Sequence, residues 1–117
     1  METEEFRATV HRRGQASILT LTGELDLSSY RALERAIGRV LQADPELVVL
    51  DLAGVGFMDV AGLRAVLAAD RRLRASGKRL VLAAPPRSVR RLLSLTGHEQ
   101  AVSVLDSVEA ALDQDLR

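Results

Sequence analysis

The chain has 117 residues, of which 47% are hydrophobic and 27% charged, a composition typical of one ordinary globular domain and not of a disordered segment. It contains no cysteine, which excludes disulfide scaffolds, thiol catalysis and thiolate metal sites. Sixteen basic side chains balance sixteen acidic ones, so the overall charge favours no class of partner. Residues 1–7 are acidic and the apolar runs are short, so we expect one cytoplasmic domain over residues 1–117 with no membrane insertion.

The first third of the chain predicts a hairpin followed by a helix. Residues 6–12 and 17–22 alternate in polarity around a tight turn at Arg13-Gly14-Gln15, as antiparallel strands do. We expect a loop over residues 23–27, after which Ser28 or Ser29 caps a helix. The apolar positions that recur at helical spacing in that helix are Leu33, Ile37, Val40 and Leu41.

The remainder alternates between short apolar strands and amphipathic helices. We expect strands over residues 47–52, 79–84 and 101–105, and a loop over residues 54–59. Asp59 is expected to cap the second helix, Pro85-Pro86 to begin the third, and Asp106, with Glu109, to cap the last. The predicted core positions of the second and third helices are Leu63, Val66, Leu67, Leu73, Val89, Leu92, Leu93 and Leu95.

The resulting order is β-β-α-β-α-β-α-β-α. Strands that alternate with helices are typical of parallel pairing through right-handed crossovers. The sequence therefore predicts an α/β domain whose mixed, mostly parallel sheet begins with an antiparallel hairpin.

No set of residues predicts catalysis, and we expect neither a cofactor nor a metal. His11 and His98 have no carboxylate or second histidine at ligand spacing, so we interpret them as surface residues. The pair Gly54 and Gly56 lacks the third glycine of a dinucleotide fingerprint, and Asp59 in its place would repel a pyrophosphate. Only three aromatic residues are present, which argues against direct nucleic-acid binding by base stacking.

Three carboxylates are expected near one edge of the sheet. Asp26 follows the hairpin, Asp51 ends a strand and Asp59 opens a helix, and the carboxyl ends of parallel strands share an edge. Each could form part of a site or could only cap local backbone. We favour the cap for Asp59 and leave both interpretations open for Asp26.

Charge is distributed unevenly along the chain. Residues 60–91 contain nine basic residues and one acid, Asp70, a net charge of +8, while seven basic and fifteen acidic residues leave −8 on the rest. A solvated helix face explains such a run, and so does complementarity to an acidic protein surface. Asp70 lies near the apolar stripe of its helix with Arg74 four residues on, which predicts either an ion pair at the edge of the stripe or contact with a partner.

The segment Phe57-Met58-Asp59-Val60-Ala61-Gly62-Leu63 resembles the helix-opening motif of STAS domains, the fold of bacterial anti-sigma factor antagonists. Residues 23–27, 48–55, 94–97 and 107–112 resemble other motifs of that family in the same order, so the likeness covers nearly the whole chain. The resemblance implies a small mixed sheet with about four helices packed mainly on one side. It also implies a non-enzymatic regulator whose partner is an anti-sigma factor of the serine-kinase type.

In that family the motif is usually Asp-Ser-Ser-Gly, and the partner kinase phosphorylates the serine before the glycine. The unphosphorylated protein binds the partner and frees a sigma factor. Here Val60 and Ala61 occupy the serine positions, and neither can accept phosphate. The resemblance implies a partner-binding surface made of Asp26, Asp59, Val60, Ala61, Gly62, Leu63 and Arg64.

The missing serine leaves three alternatives. The protein is permanently active, or it is switched at another hydroxyl, or it is a STAS subunit that docks on a different partner, such as the ATPase of a lipid-transport complex. The other hydroxyls considered are those of Ser28, Ser29, Ser88, Ser94 and Thr96.

Overall fold

A computed structural model describes residues 5–115, which form a five-stranded sheet with four α-helices. Residues 1–4, the start of the acidic N-terminal stretch, and residues 116–117 lie outside the described part. The strands are β1 (Arg7–Arg13), β2 (Ala16–Leu25), β3 (Leu47–Met58), β4 (Arg79–Ala83) and β5 (Ser103–Leu105). The helices are α1 (Tyr30–Gln42), α2 (Val60–Ala75), α3 (Arg87–Leu95) and α4 (Val108–Asp115), and a 3₁₀ turn spans Leu27–Ser29.

The sheet has the order β1-β2-β3-β4-β5. The first pair is antiparallel and every later pair is parallel. This arrangement confirms the predicted fold class, a mixed and mostly parallel sheet begun by a hairpin.

The two faces of the sheet bury different sets of helices. Successive side chains of a strand point to opposite faces. In β3, Val48 and Leu50 therefore join the large core with the inner faces of α1, α2 and α3, while Leu47 and Val49 join a smaller core with Ala111 of α4. Three of the four described helices thus cover one face, as the resemblance implied.

Within residues 5–115, no helix has the length and apolar character that crossing a membrane requires.

Two segments predicted as loops are strand. β2 continues to Leu25 and β3 to Met58, and the two remain paired over the extension, from Thr22 opposite Gly54 to Leu25 opposite Met58. The register shifts once just before this stretch, between Thr20 and Thr22, and once within it, between Gly23 and Glu24, as expected where glycines allow an irregular strand. The glycines that indicated a loop therefore mark irregular pairing.

Three details at the ends of elements differ from the prediction. Leu95 was predicted in the core but is 75% exposed. It is the last residue of α3, and the buried face of that helix is formed by Val89 and Leu93. The hydroxyl of Ser107, and not Asp106, accepts the bond from the amide of Ala110 in the first turn of α4. The last strand begins at Ser103, two residues later than expected.

Candidate partner-binding site

The strand register places two of the three predicted carboxylates beside each other. Leu25 and Met58 are partners at the carboxyl ends of β2 and β3. The next residues, Asp26 and Asp59, leave these neighbouring strands at the same edge of the sheet. Asp51 instead lies inside β3, opposite Thr20, where its carboxylate accepts a bond from the amide of Ala53. The prediction of a three-carboxylate edge was therefore wrong for Asp51, because β3 runs seven residues beyond it.

Asp59 is the N-cap of α2, as predicted. Its backbone is extended, and its Oδ1 accepts a hydrogen bond of 2.9 Å from the amide of Gly62. Its own amide donates to the carbonyl oxygen of Leu25 at 3.3 Å. One residue thus satisfies an orphan amide of the helix and ties the start of α2 to the end of β2.

Asp26 caps the 3₁₀ turn that precedes α1. Ser29, one of the two serines predicted as caps, occupies the N-cap position of α1, but its side chain makes no cap hydrogen bond. Oδ1 of Asp26 accepts from the amide of Ser28 at 2.9 Å and from the hydroxyl of Ser28 at 2.6 Å. These bonds, with the hydroxyl as the larger cause, hold the pKa of Asp26 below its usual value. Ser29 is buried, and its hydroxyl donates to the carbonyl of Glu24. This bond ties the 3₁₀ turn to the end of β2, and the turn also contacts α2.

Gly62 allows α2 to approach the end of β2. A Cβ atom at this position would lie far inside van der Waals contact of the carbonyl oxygen of Leu25, and 2.7 Å from its carbonyl carbon. Real Cβ atoms do not approach other atoms so closely, and a backbone carbonyl cannot swing aside as a flexible side chain can. Glycine is required here for close approach.

The seven predicted surface residues differ in exposure. Val60 is 48% exposed, and Arg64 is exposed as well. Asp26, Asp59 and Ala61 are half-buried. Gly62 and Leu63 are buried, so they support the surface from beneath. We call Asp26 together with Asp59–Arg64 the α2 tip.

Two exposed apolar residues beside the α2 tip were not predicted. Leu27, in the 3₁₀ turn, is 75% exposed, and Phe57, at the end of β3, is 47% exposed. Both fall in segments predicted as loops, and a large apolar side chain in a predicted loop was the available signal. Leu27, Phe57 and Val60 are thus three large apolar residues exposed close to the carboxyl ends of β2 and β3.

The charge run of residues 60–91 is only partly neutralised. Asp70 is 5% exposed and pairs through Oδ2 with Nε of Arg74 at 3.1 Å, while its Oδ1 meets no donor among the described residues. Of the two alternatives for Asp70, the ion pair with Arg74 is therefore present, with a buried acid and an exposed arginine. Lys78 and Arg90 pair with acids outside the run, Asp44 and Asp106.

The described residues contain no cluster of three or more side chains that could ligate a metal. Nδ1 of His98 lies 2.9 Å from the hydroxyl of Thr96, a local contact at the end of α3. The chemistry of the α2 tip is that of two helix caps, small methyl groups and the guanidinium of Arg64, which forms no ion pair with the described side chains. Such a set suits surface contact.

The chain belongs to the STAS domain family, which it matches over residues 7–111. Its mixed sheet and its four described helices, three of them on one face, are those that the family resemblance implied.

Individual relatives extend this finding. The chain is 30% identical over 109 residues to the anti-sigma-F factor antagonist RsfB of Mycobacterium tuberculosis, covering 93% of this chain and 88% of that protein. It superposes with a TM-score of 0.84 on an anti-sigma factor antagonist from Mycobacterium paratuberculosis, at 27% identity over 94% of this chain and 93% of that one. The phosphorylated form of the Bacillus cell fate determinant SpoIIAA shares the fold, with a TM-score of 0.69 and 24% identity over 97% of this chain and 100% of that one.

Proposed function

We propose that this protein is an anti-sigma factor antagonist, a regulatory binding protein of the cytoplasm and not an enzyme. It would bind an anti-sigma factor through the α2 tip and so release the sigma factor held by that partner. The observation that carries this proposal is the match, over nearly the full length of both chains, to proteins named for that function. Val60 and Arg64 are exposed for this contact, and the backbone near them is held by the caps that Asp59 and Asp26 form.

We further propose that the partner is of the serine-kinase type and that phosphorylation at the α2 tip does not switch this chain. In the family, a phosphate at the position of Ala61 would add a charge of about −2 to a docking surface and weaken binding by repulsion and desolvation. Val60 and Ala61 present only methyl groups there. The hydroxyl of Ser28, nearby on the 3₁₀ turn, is already held by the carboxylate of Asp26.

A kinase assay tests this proposal. The purified chain is mixed with the kinase-type anti-sigma factor of the same organism and ATP, and complex formation and intact mass are measured together. We expect a complex and an unchanged mass.

The matched control is Ala61→Ser, which restores the family hydroxyl and is expected to gain one phosphate. A stoichiometric phosphate on the unaltered chain would contradict the missing switch. Absence of a complex would contradict the antagonist function, and recovery of a transport ATPase from native lysate would favour the accessory-subunit alternative.

Replacement of Asp59 separates its role as the cap of α2 from its proposed role in partner contact. Asp59→Ala removes the acceptor of the Gly62 amide and is expected to cost about 1 kcal/mol of unfolding free energy. Ser107→Ala is the matched control, because it removes the cap of α4 on the opposite face of the sheet. We expect both variants to lose similar stability in urea titrations, and only Asp59→Ala to bind the anti-sigma factor more weakly. Equal affinities in the two variants would show that Asp59 serves only as a cap.

A further inference from the structure

A groove runs along α2 from its tip toward the middle of the helix. Val60, Leu63 and Leu67 form its apolar floor, one turn of α2 after another. Tyr30, at the start of α1, and His98, after the end of α3, contribute its walls. The groove begins at the α2 tip, so a partner held there also has access to it.

The rim of the groove carries uncompensated positive charge. Arg64 and Arg71 line it, both are exposed, and neither forms an ion pair with any side chain of residues 5–113. Arg74 and Arg90, in the same basic run, are paired. The two free arginines are seven residues apart, or two turns of helix and about 10.5 Å along its axis. They therefore stand on one side of the helix as a pair of exposed positive charges.

We infer that this groove binds an acidic amphipathic helix of the anti-sigma factor, an inference that rests on the proposed function and extends the contact beyond the α2 tip. A helix laid alongside α2 would press an apolar stripe on Val60 and Leu67. Two carboxylates seven residues apart on that helix would have the same spacing as Arg64 and Arg71. Because the net charge of the chain is zero, its overall charge does not attract an acidic partner. The local positive charge of Arg64 and Arg71 would select such a partner and steer its approach.

Reversing the charge of Arg71 tests the groove apart from the tip, because Arg71 lies outside the α2 tip. Arg71→Glu is compared with Arg87→Glu, an exposed arginine of α3 that does not line the groove. Affinity for the purified anti-sigma factor is measured by calorimetry at low and high ionic strength. We expect Arg71→Glu to weaken binding about tenfold or more and to reduce its salt dependence, and Arg87→Glu to stay within about twofold of the unaltered chain.

Each outcome decides between the claims. If the unaltered chain binds and both variants bind equally well, the groove inference is wrong and the proposed function stands. If the unaltered chain does not bind the anti-sigma factor, the proposed function and the inference fall together. If Arg71→Glu instead breaks up a dimer of this chain in sedimentation without changing affinity for the anti-sigma factor, the occupant is a second copy and the inference is overturned.

Discussion

Gly62→Ala is expected to lower the unfolding free energy by at least about 3 kcal/mol, at the upper end of what overpacking usually costs. The added methyl group meets the backbone of Leu25, which is itself the terminal partner of Met58 in the sheet. Relief therefore requires that α2 move away from β2. Such a movement also breaks the bond from the amide of Asp59 to the carbonyl of Leu25.

Gly56→Ala provides the control for this substitution. Gly56 lies in the same strand extension, is exposed, and has no atom within 4 Å of the position that a Cβ would occupy. We expect its stability to change by no more than about 0.5 kcal/mol. Urea denaturation of both variants measures the difference. Similar midpoints would show that α2 does not approach the end of β2 as closely as described.

Ala61→Glu is expected to weaken binding to the anti-sigma factor by about tenfold or more. The glutamate adds negative charge next to Asp59, at the position that we propose corresponds to the phosphorylated serine of the family, and charge added to a docking surface weakens binding by repulsion and desolvation. The fold should tolerate the change, because Ala61 is half-buried in the first turn of α2, where the helix dipole favours an acid.

Ala110→Glu is the control for this variant, because it adds the same charge to the first turn of a different helix. Ala110 is also a half-buried alanine in a first turn, but it belongs to α4 on the other face of the sheet. Calorimetric titration of both variants against the anti-sigma factor compares them directly. We expect full affinity for Ala110→Glu. If Ala61→Glu also keeps full affinity, the contact surface is not the α2 tip.

Local patterns were sufficient to predict most elements of this fold. The alternation of residues 6–22 predicted the hairpin, and the spacing of Leu33 and Ile37 predicted the inner face of α1. Asp59 was predictable as a cap because an aspartate just before an apolar helical pattern can accept a hydrogen bond from an amide of the first turn. Such features depend on residues within one or two turns of each other.

The errors concern features that depend on distant parts of the chain. Gly54 and Gly56 indicated a loop, but pairing with β2 holds their segment as strand. Because β3 extends to Met58, Asp51 lies inside the strand and Phe57 lies near its carboxyl end. Nothing local to Gly62 showed that its missing side chain is needed for contact with Leu25, thirty-seven residues earlier in the sequence. The start of α2 and its cap could therefore be predicted from sequence, whereas the close approach at Gly62 and the groove along α2 required the structure.

Amide hydrogen exchange on the complex shows which surface of this protein the anti-sigma factor covers. The first amides of a helix have no intrahelical acceptor, so those of Val60 and Ala61 are expected to exchange quickly in the free protein. Binding of the anti-sigma factor should slow exchange there and in the neighbouring 3₁₀ turn, and leave the amides of α4 unchanged. Protection confined to α4, or to any other surface while the α2 tip continues to exchange at its free rate, would contradict the claim that this protein binds its partner through the start of α2.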